Sequence, residues 1–138
     1  MKLIFRSCLI PFLLLVALAA AQPQQAVEGK PEDHFAKFDK MKVHYQSYGK
    51  GDEALVFIHG WTCNLNFWKA NIPAFTDQTR VIAIDLPGHG ESEKPEIAYT
   101  MKLFAQSVEA VMRDAKVAKA TLVGHSMGAP VVRKFISQ

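Results

Sequence analysis

Gly124-His125-Ser126-Met127-Gly128 is a G-x-S-x-G pentapeptide. It directly follows the apolar run Ala120-Thr121-Leu122-Val123 and directly precedes a helical pattern that starts near Pro130. That strand–turn–helix context is what the motif needs to present a nucleophile. A serine on so sharp a turn takes a strained backbone conformation and turns its hydroxyl outward. Gly124 and Gly128 leave room for strand and helix to close together. The Met127 amide opens the helix, so its N–H and the helix dipole face an oxyanion forming on a substrate at Ser126. The chemistry this allows is attack on an ester, thioester, lactone or amide carbonyl through an acyl-enzyme. The competing reading is an ordinary turn serine.

The elements that must position this turn alternate along the chain. Val43, Tyr45 and Ser47 alternate with His44, Gln46 and Tyr48 as in a strand, and Gly49-Lys50-Gly51-Asp52 reads as a turn. The continuous apolar runs 54–58, 81–84 and 120–123 fit strands buried on both faces. Phe67, Trp68, Ile72 and Phe75 recur at helical spacing, with Pro73 shortening or bending that helix. Thr100 to Lys116 carries Phe104, Val108, Val111, Met112 and Ala115 on one helical face, with Thr100 as N-cap. From Pro130 another helix begins, with proline in the first turn, where its missing donor costs little. Strands alternating with helices predict βαβ units and a parallel sheet.

Three blocks in this order resemble the α/β-hydrolase family: His59-Gly60-Trp61 after one buried strand, Asp85-Leu86-Pro87-Gly88-His89-Gly90-Glu91-Ser92 after the next, and the turn around Ser126. The resemblance runs from about Phe38 to the end of the chain. It implies an α/β fold of the α/β-hydrolase type, a mostly parallel sheet flanked by helices, whose C-terminal strands and helices are absent from these residues. It implies Ser126 as nucleophile and the backbone amides of Trp61 and Met127 as the oxyanion hole. His59, His89 and His125 become scaffold histidines in loops, and Asp85 a loop-fixing residue, with Gly60, Gly124 and Gly128 in the scaffold. Haloalkane dehalogenases and epoxide hydrolases of this fold use aspartate at the turn, so serine points to acyl chemistry. A carbon–carbon bond hydrolase or a perhydrolase fits the same turn.

Other candidates have plainer readings. Trp61 also fits core or rim packing, since any residue supplies an amide. Cys63 lacks a base in the expected relation and reads as a small buried hydrophobe. Phe67, Trp68 and Phe75 read as core. His34 and His44 are isolated in the sequence, and no His/Asp/Glu cluster has ligand spacing, so no metal and no cofactor are expected.

In this family the acid and the histidine follow the serine, in the order Ser, Asp/Glu, His. The twelve residues after Ser126 contain no Asp, Glu or His. The run 120–123 would also be an apolar, unpaired sheet edge. The expectation is an exported serine hydrolase seen only as its N-terminal part, residues 35–138 being that part of the domain. The alternative is a truncated, non-catalytic polypeptide that binds a ligand or partner, or does not fold stably.

The remaining features concern export and charge. Met1 to Arg6 carries two positive charges, Leu9 to Ala20 is almost wholly apolar, and Ala19-Ala20-Ala21 has the small residues of a cleavage site. This is the order of a signal peptide over residues 1–21, leading to the periplasm or the exterior. An uncleaved anchor is the competing reading, but the run falls short of the ~20 apolar residues that span a bilayer. Residues 22–34 read as a disordered lead-in. With 16 Lys+Arg and 13 Asp+Glu the net charge is +3. Removing Lys2 and Arg6 leaves 14 basic residues against 13 acidic, too even for a nucleic-acid surface. Cys63 would be the lone cysteine after cleavage, so no intrachain disulfide is expected. The expected partner is a small-molecule acyl substrate.

Overall fold

The computed structural model describes residues 30–138. The signal-peptide reading of 1–21, and residues 22–29 of the lead-in, lie outside them. Five strands form one sheet: β1 (Glu32–Phe38), β2 (Met41–Tyr48), β3 (Glu53–Ile58), β4 (Arg80–Ile84) and β5 (Lys119–Gly124). Two helices, α1 (Met101–Asp114) and α2 (Gly128–Ile136), complete the fold with two short 3-10 turns, Leu65–Trp68 and Ile72–Ala74.

The strand order is β1-β2-β4-β3-β5. Strands β4, β3 and β5 run parallel, whereas β1 and β2 pair antiparallel with each other and β2 antiparallel with β4. The α/β architecture therefore holds, with one side of the sheet (β4, β3, β5) parallel and an antiparallel N-terminal hairpin that makes the sheet mixed. That hairpin corrects the lead-in boundary, because β1 starts at Glu32, inside the segment read as disordered up to residue 34. Ala36 and Phe38 on one face alternate with the exposed Phe35 and Lys37 on the other, and the strand registers opposite β2 through a two-residue turn at Asp39-Lys40.

Strands β3 and β4 are covered on both faces, as their unbroken apolar runs require, whereas β5, at the edge of the sheet, is only half-buried, contrary to the reading of 120–123 as a strand buried on both faces. Val56, Ile58, Ile82 and Ile84 point to one side, where they pack with Phe104, Val108 and Val111 of α1 and Val131 of α2. Phe57, Val81 and Ala83 point to the other and pack with Leu65, Trp68 and Ile72. The helix expected around Phe67–Phe75 is instead the two 3-10 turns, and Pro73 sits in the second. Proline cannot donate an intrahelical hydrogen bond there. Trp68 and Ile72 are core, but Phe67 and Phe75 are exposed, contrary to the core reading.

Helix α1 begins where its cap predicts. The Thr100 hydroxyl accepts the Leu103 N–H at 3.1 Å, satisfying one of the free donors of the first turn. Helix α2 starts two residues earlier than Pro130, immediately after the turn that carries Ser126.

Candidate active site

The register places the three motif blocks side by side. Ile58 of β3 pairs with Ile84 of β4 and with Gly124 of β5. The residues that follow, His59-Gly60-Trp61, Asp85 and His125-Ser126, therefore emerge together at the carboxyl ends of three adjacent parallel strands. In open α/β sheets this edge is where ligands bind.

Ser126 has φ +52°, a left-handed conformation that non-glycine residues seldom adopt, and its side chain is exposed. The turn is drawn tight by main-chain hydrogen bonds. His125 N–H donates to Ile58 O at 3.1 Å, Gly128 N–H to His125 O at 2.8 Å and Ala129 N–H to Ser126 O at 3.0 Å. Two glycines permit this closeness. A Cβ on Gly124 would stand 2.5 Å from the Gly128 carbonyl carbon, and a Cβ on Gly128 would overlap the Ile58 carbonyl oxygen. Met127 is half-buried at the N-cap of α2.

Gly60 lies against the turn: its Cβ would be 3.1 Å from the Ser126 Cβ and 3.2 Å from His125 Nδ1. Trp61 is 57% exposed and sets its ring edge-on to His89 at 5.3 Å. Neither the Trp61 nor the Met127 main-chain N–H donates to an acceptor among the described residues. Cys63 is half-buried and free, and its N–H closes the loop by donating to Gly60 O at 3.3 Å.

His59 is buried, and its tautomer follows from its partners. Nδ1–H donates to the Gly60 carbonyl at 2.7 Å, and Nε2 accepts the Leu86 N–H at 3.1 Å. Burial is the main reason its pKa lies below the ordinary imidazole value, so the ring is neutral. It thereby ties the loop after β3 to the loop after β4. His89 is buried and donates Nδ1–H to Pro87 O at 3.0 Å. The His125 ring stacks on Phe67 with centroids 4.4 Å apart.

Asp85 is buried at the end of β4, and its carboxylate accepts from three donors. Oδ1 takes the Leu65 N–H at 2.7 Å. Oδ2 takes the Glu91 N–H at 2.9 Å and lies 2.8 Å from His44 Nδ1. Gly90, at φ +50°, passes over this carboxylate so closely that a Cβ there would overlap it. His44 is thus not isolated, as sequence spacing suggested: it is buried in β2, and its Nε2 is 2.9 Å from Asp33 Oδ1. The contacts of His44 with Asp33, Asp85 and Ser92 are not legible in the sequence, because they join residues brought together by strand pairing. The signal available was the Asp39-Lys40 turn, which folds residue 33 back toward residues 44–46. Among the described residues, no group of three His, Cys, Asp or Glu could hold a metal ion. None of their helices is long and apolar enough to cross a membrane.

Comparisons with known proteins agree with this layout. A family model described as the alpha/beta hydrolase fold matches residues 53–138. The chain is 45% identical over 83 residues to the dihydrolipoyllysine-residue acetyltransferase component of the acetoin cleaving system of Pseudomonas putida, covering 60% of the chain and 22% of that protein. It is 34% identical over 102 residues to the soluble epoxide hydrolase of Corynebacterium sp. strain C12, covering 74% of the chain and 35% of that protein. A solved structure of an N-acyl homoserine lactone degrading enzyme superposes with a TM-score of 0.73 at 33% identity, over 76% of the chain and 40% of that structure. The chain thus spans about a fifth to two fifths of the length of these relatives.

Proposed function

This chain belongs to the alpha/beta hydrolase fold family, and from that premise we propose that it carries the nucleophile-bearing part of an exported serine hydrolase acting on an ester, thioester, lactone or amide. The observation that carries the reading is Ser126: a non-glycine residue at φ +52°, exposed at the carboxyl end of the parallel strands, next to the start of α2. Such backbone strain persists where the surroundings enforce it, and it clusters at functional sites. Gly124 and Gly128 enforce it here.

In this reading the Ser126 Oγ attacks the acyl carbonyl carbon. A new C–O bond forms as the carbonyl π pair moves onto oxygen. The Trp61 and Met127 N–H groups, which have no other acceptor among the described residues, hold that oxyanion. The N-terminal end of α2 adds its partial positive charge. The serine proton passes to a histidine and from it to the departing alcohol, thiol or amine, and water then releases the acyl group. The acid and that histidine are proposed to come from chain following Gln138, in keeping with the share of the relatives' length that is covered. The lactone-degrading relative supports an acyl substrate, as does the choice of serine at position 126.

The test is to read the source DNA past codon 138, express the longer product and assay a chromogenic short-chain ester. Turnover that disappears in Ser126→Ala is the expected result. Turnover that survives the substitution overturns Ser126 as the nucleophile, and no turnover with any acyl substrate class overturns the proposal in favour of a non-catalytic polypeptide. Export is tested separately by N-terminal sequencing of the secreted product, which should begin at Gln22.

A further inference from the structure

We infer that His44 is a doubly protonated imidazolium clamped between two carboxylates, and that it acts through Asp85 as a positioning residue for the loop carrying Gly60 and Trp61. Its charge state stands on geometry alone; its consequence for catalysis rests on the function proposed above.

The two ring nitrogens both face carboxylate oxygens, Nδ1 at 2.8 Å from Asp85 Oδ2 and Nε2 at 2.9 Å from Asp33 Oδ1. An ionised carboxylate only accepts. A neutral imidazole has one N–H and one lone pair, so one of these contacts would set a lone pair against an anionic oxygen. Both are satisfied together when both nitrogens carry hydrogen.

The surroundings are anionic or neutral on every packed side. Asp33 comes from β1, Asp85 from the end of β4, and Glu91 from the following loop at 3.9 Å. The Phe35 ring of β1 lies 5.0 Å from the imidazole, and the Ser92 hydroxyl accepts the His44 main-chain N–H at 2.8 Å. No cation is paired with either carboxylate besides His44 among the described residues. Burial opposes the charge most strongly, yet the hydrogen bonds to Asp85 and Asp33, with the negative charges of Asp85 and Glu91, outweigh it and hold the His44 pKa above its ordinary value. The same bond from His44 is the largest reason that Asp33 is held below the usual carboxylate range.

The link to the site runs through Asp85. Its carboxylate anchors the Leu65 N–H, where the first 3-10 turn begins just after the 60–64 loop, and the Glu91 N–H of the neighbouring loop. With His44 neutral, Asp85 becomes a buried carboxylate without a counter-charge, an expensive arrangement that favours loosening of both anchors.

The experiment is a ring and backbone 15N–1H titration of the 138-residue protein, carried from below to well above the ordinary imidazole pKa of about 6.5. At neutral pH His44 should show two ring N–H groups, and its midpoint should lie above that ordinary value. The Leu65 and Glu91 amide resonances should move with the same midpoint. Asp33→Asn, at an exposed residue, keeps an acceptor oxygen but removes its charge, and should shift the His44 midpoint and both amide transitions downward together. In an active enzyme the alkaline limb of kcat should shift with them. A single ring proton on His44 at neutral pH overturns the charge assignment. Leu65 and Glu91 amides that ignore the titration overturn the positioning role. Neither readout needs catalysis, so failure here is distinct from failure of the proposed hydrolase activity.

Discussion

A Cβ atom on Gly60 would stand 3.1 Å from the Cβ of Ser126, closer than side chains ordinarily pack. The loop after β3 and the serine turn after β5 are therefore fitted to each other with no space for a methyl group. Gly60→Ala must push Ser126 or His125 aside by a few tenths of an ångström. We expect a modest stability loss of about 1 kcal/mol, the low end for overpacking. Ester hydrolysis by the longer product should fall by a larger factor than this stability loss explains, though by less than the ~10²-fold that a misplacement of about 1 Å costs. Parallel urea unfolding and kcat measurements check this. Equal, small losses in both would show that the contact does not align the nucleophile.

The left-handed backbone at Ser126 predicts an opposition between stability and activity. A non-glycine residue there costs about 1–2 kcal/mol. Ser126→Gly relieves that strain, less the greater freedom glycine has when unfolded, so the net gain expected is ~0.5–1 kcal/mol. Ser126→Ala keeps the Cβ and should gain nothing, while both variants lose ester turnover. Chemical denaturation of the three proteins gives the comparison, and a Ser126→Gly protein no more stable than Ser126→Ala would refute the strain argument.

Main-chain atoms set the space around Gly124 and Gly128. A Cβ on Gly124 meets the Gly128 carbonyl carbon and oxygen at 2.5 Å and the Ala129 nitrogen at 2.8 Å, and one on Gly128 overlaps the Ile58 carbonyl. None of these atoms has a rotamer with which to yield. Either Gly→Ala change should therefore cost ~3 kcal/mol or more, the upper end for overpacking. Thr100→Ala is a useful contrast: it removes only the cap to Leu103 and should cost ~1 kcal/mol. Thermal or urea unfolding that ranks Thr100→Ala as the most damaging of the three would contradict the close strand–helix approach.

What was legible in the sequence was local. Continuous apolar runs marked β3 and β4, buried on two faces, and also β5, although that edge strand is only half-buried, and Thr100 marked the start of α1, because burial and capping leave their mark within a few residues. The Ser126 turn was legible in part for the same reason, since Gly124 must clear Gly128 and Ala129 close by in the chain, whereas Gly128 must clear the distant Ile58 carbonyl. The alternation of residues 43–48 marked β2, but β1, and with it the hairpin, stayed hidden because its residues are polar and largely exposed, with only Ala36 buried. The network joining Asp33, His44, Asp85 and Ser92 depends on pairings between residues 11 to 48 positions apart. No local spacing encodes those. Helical spacing over Phe67–Phe75, with Pro73 shortening or bending the helix, gave one element where the chain forms two separate 3-10 turns, Pro73 lying inside the second and Phe67 stacking on His125.

The neutral state of His59 predicts acid sensitivity of a particular sign. Its folded pKa is lowered, first by burial and then by the neighbouring His89, with the Gly60 carbonyl and Asp85 opposing in part. In the unfolded chain the ring titrates near the ordinary value of about 6.5. A group depressed on folding contributes stability above that unfolded value, and the contribution drains away as pH falls toward the folded pKa. His44 acts in the other direction and another window: its raised pKa contributes below about 6.5 and is lost as pH rises through its folded value. His59→Asn keeps a donor for the Gly60 carbonyl but neither titrates nor accepts the Leu86 N–H. The variant should be less stable at neutral pH, with its deficit against the original protein shrinking as pH drops below about 6.5, by at most ~1.4 kcal/mol per pH unit. Urea unfolding at a series of acidic and neutral pH values measures that difference. A deficit that stays constant across the series would mean that His59 is not a neutral, buried strut between the two loops.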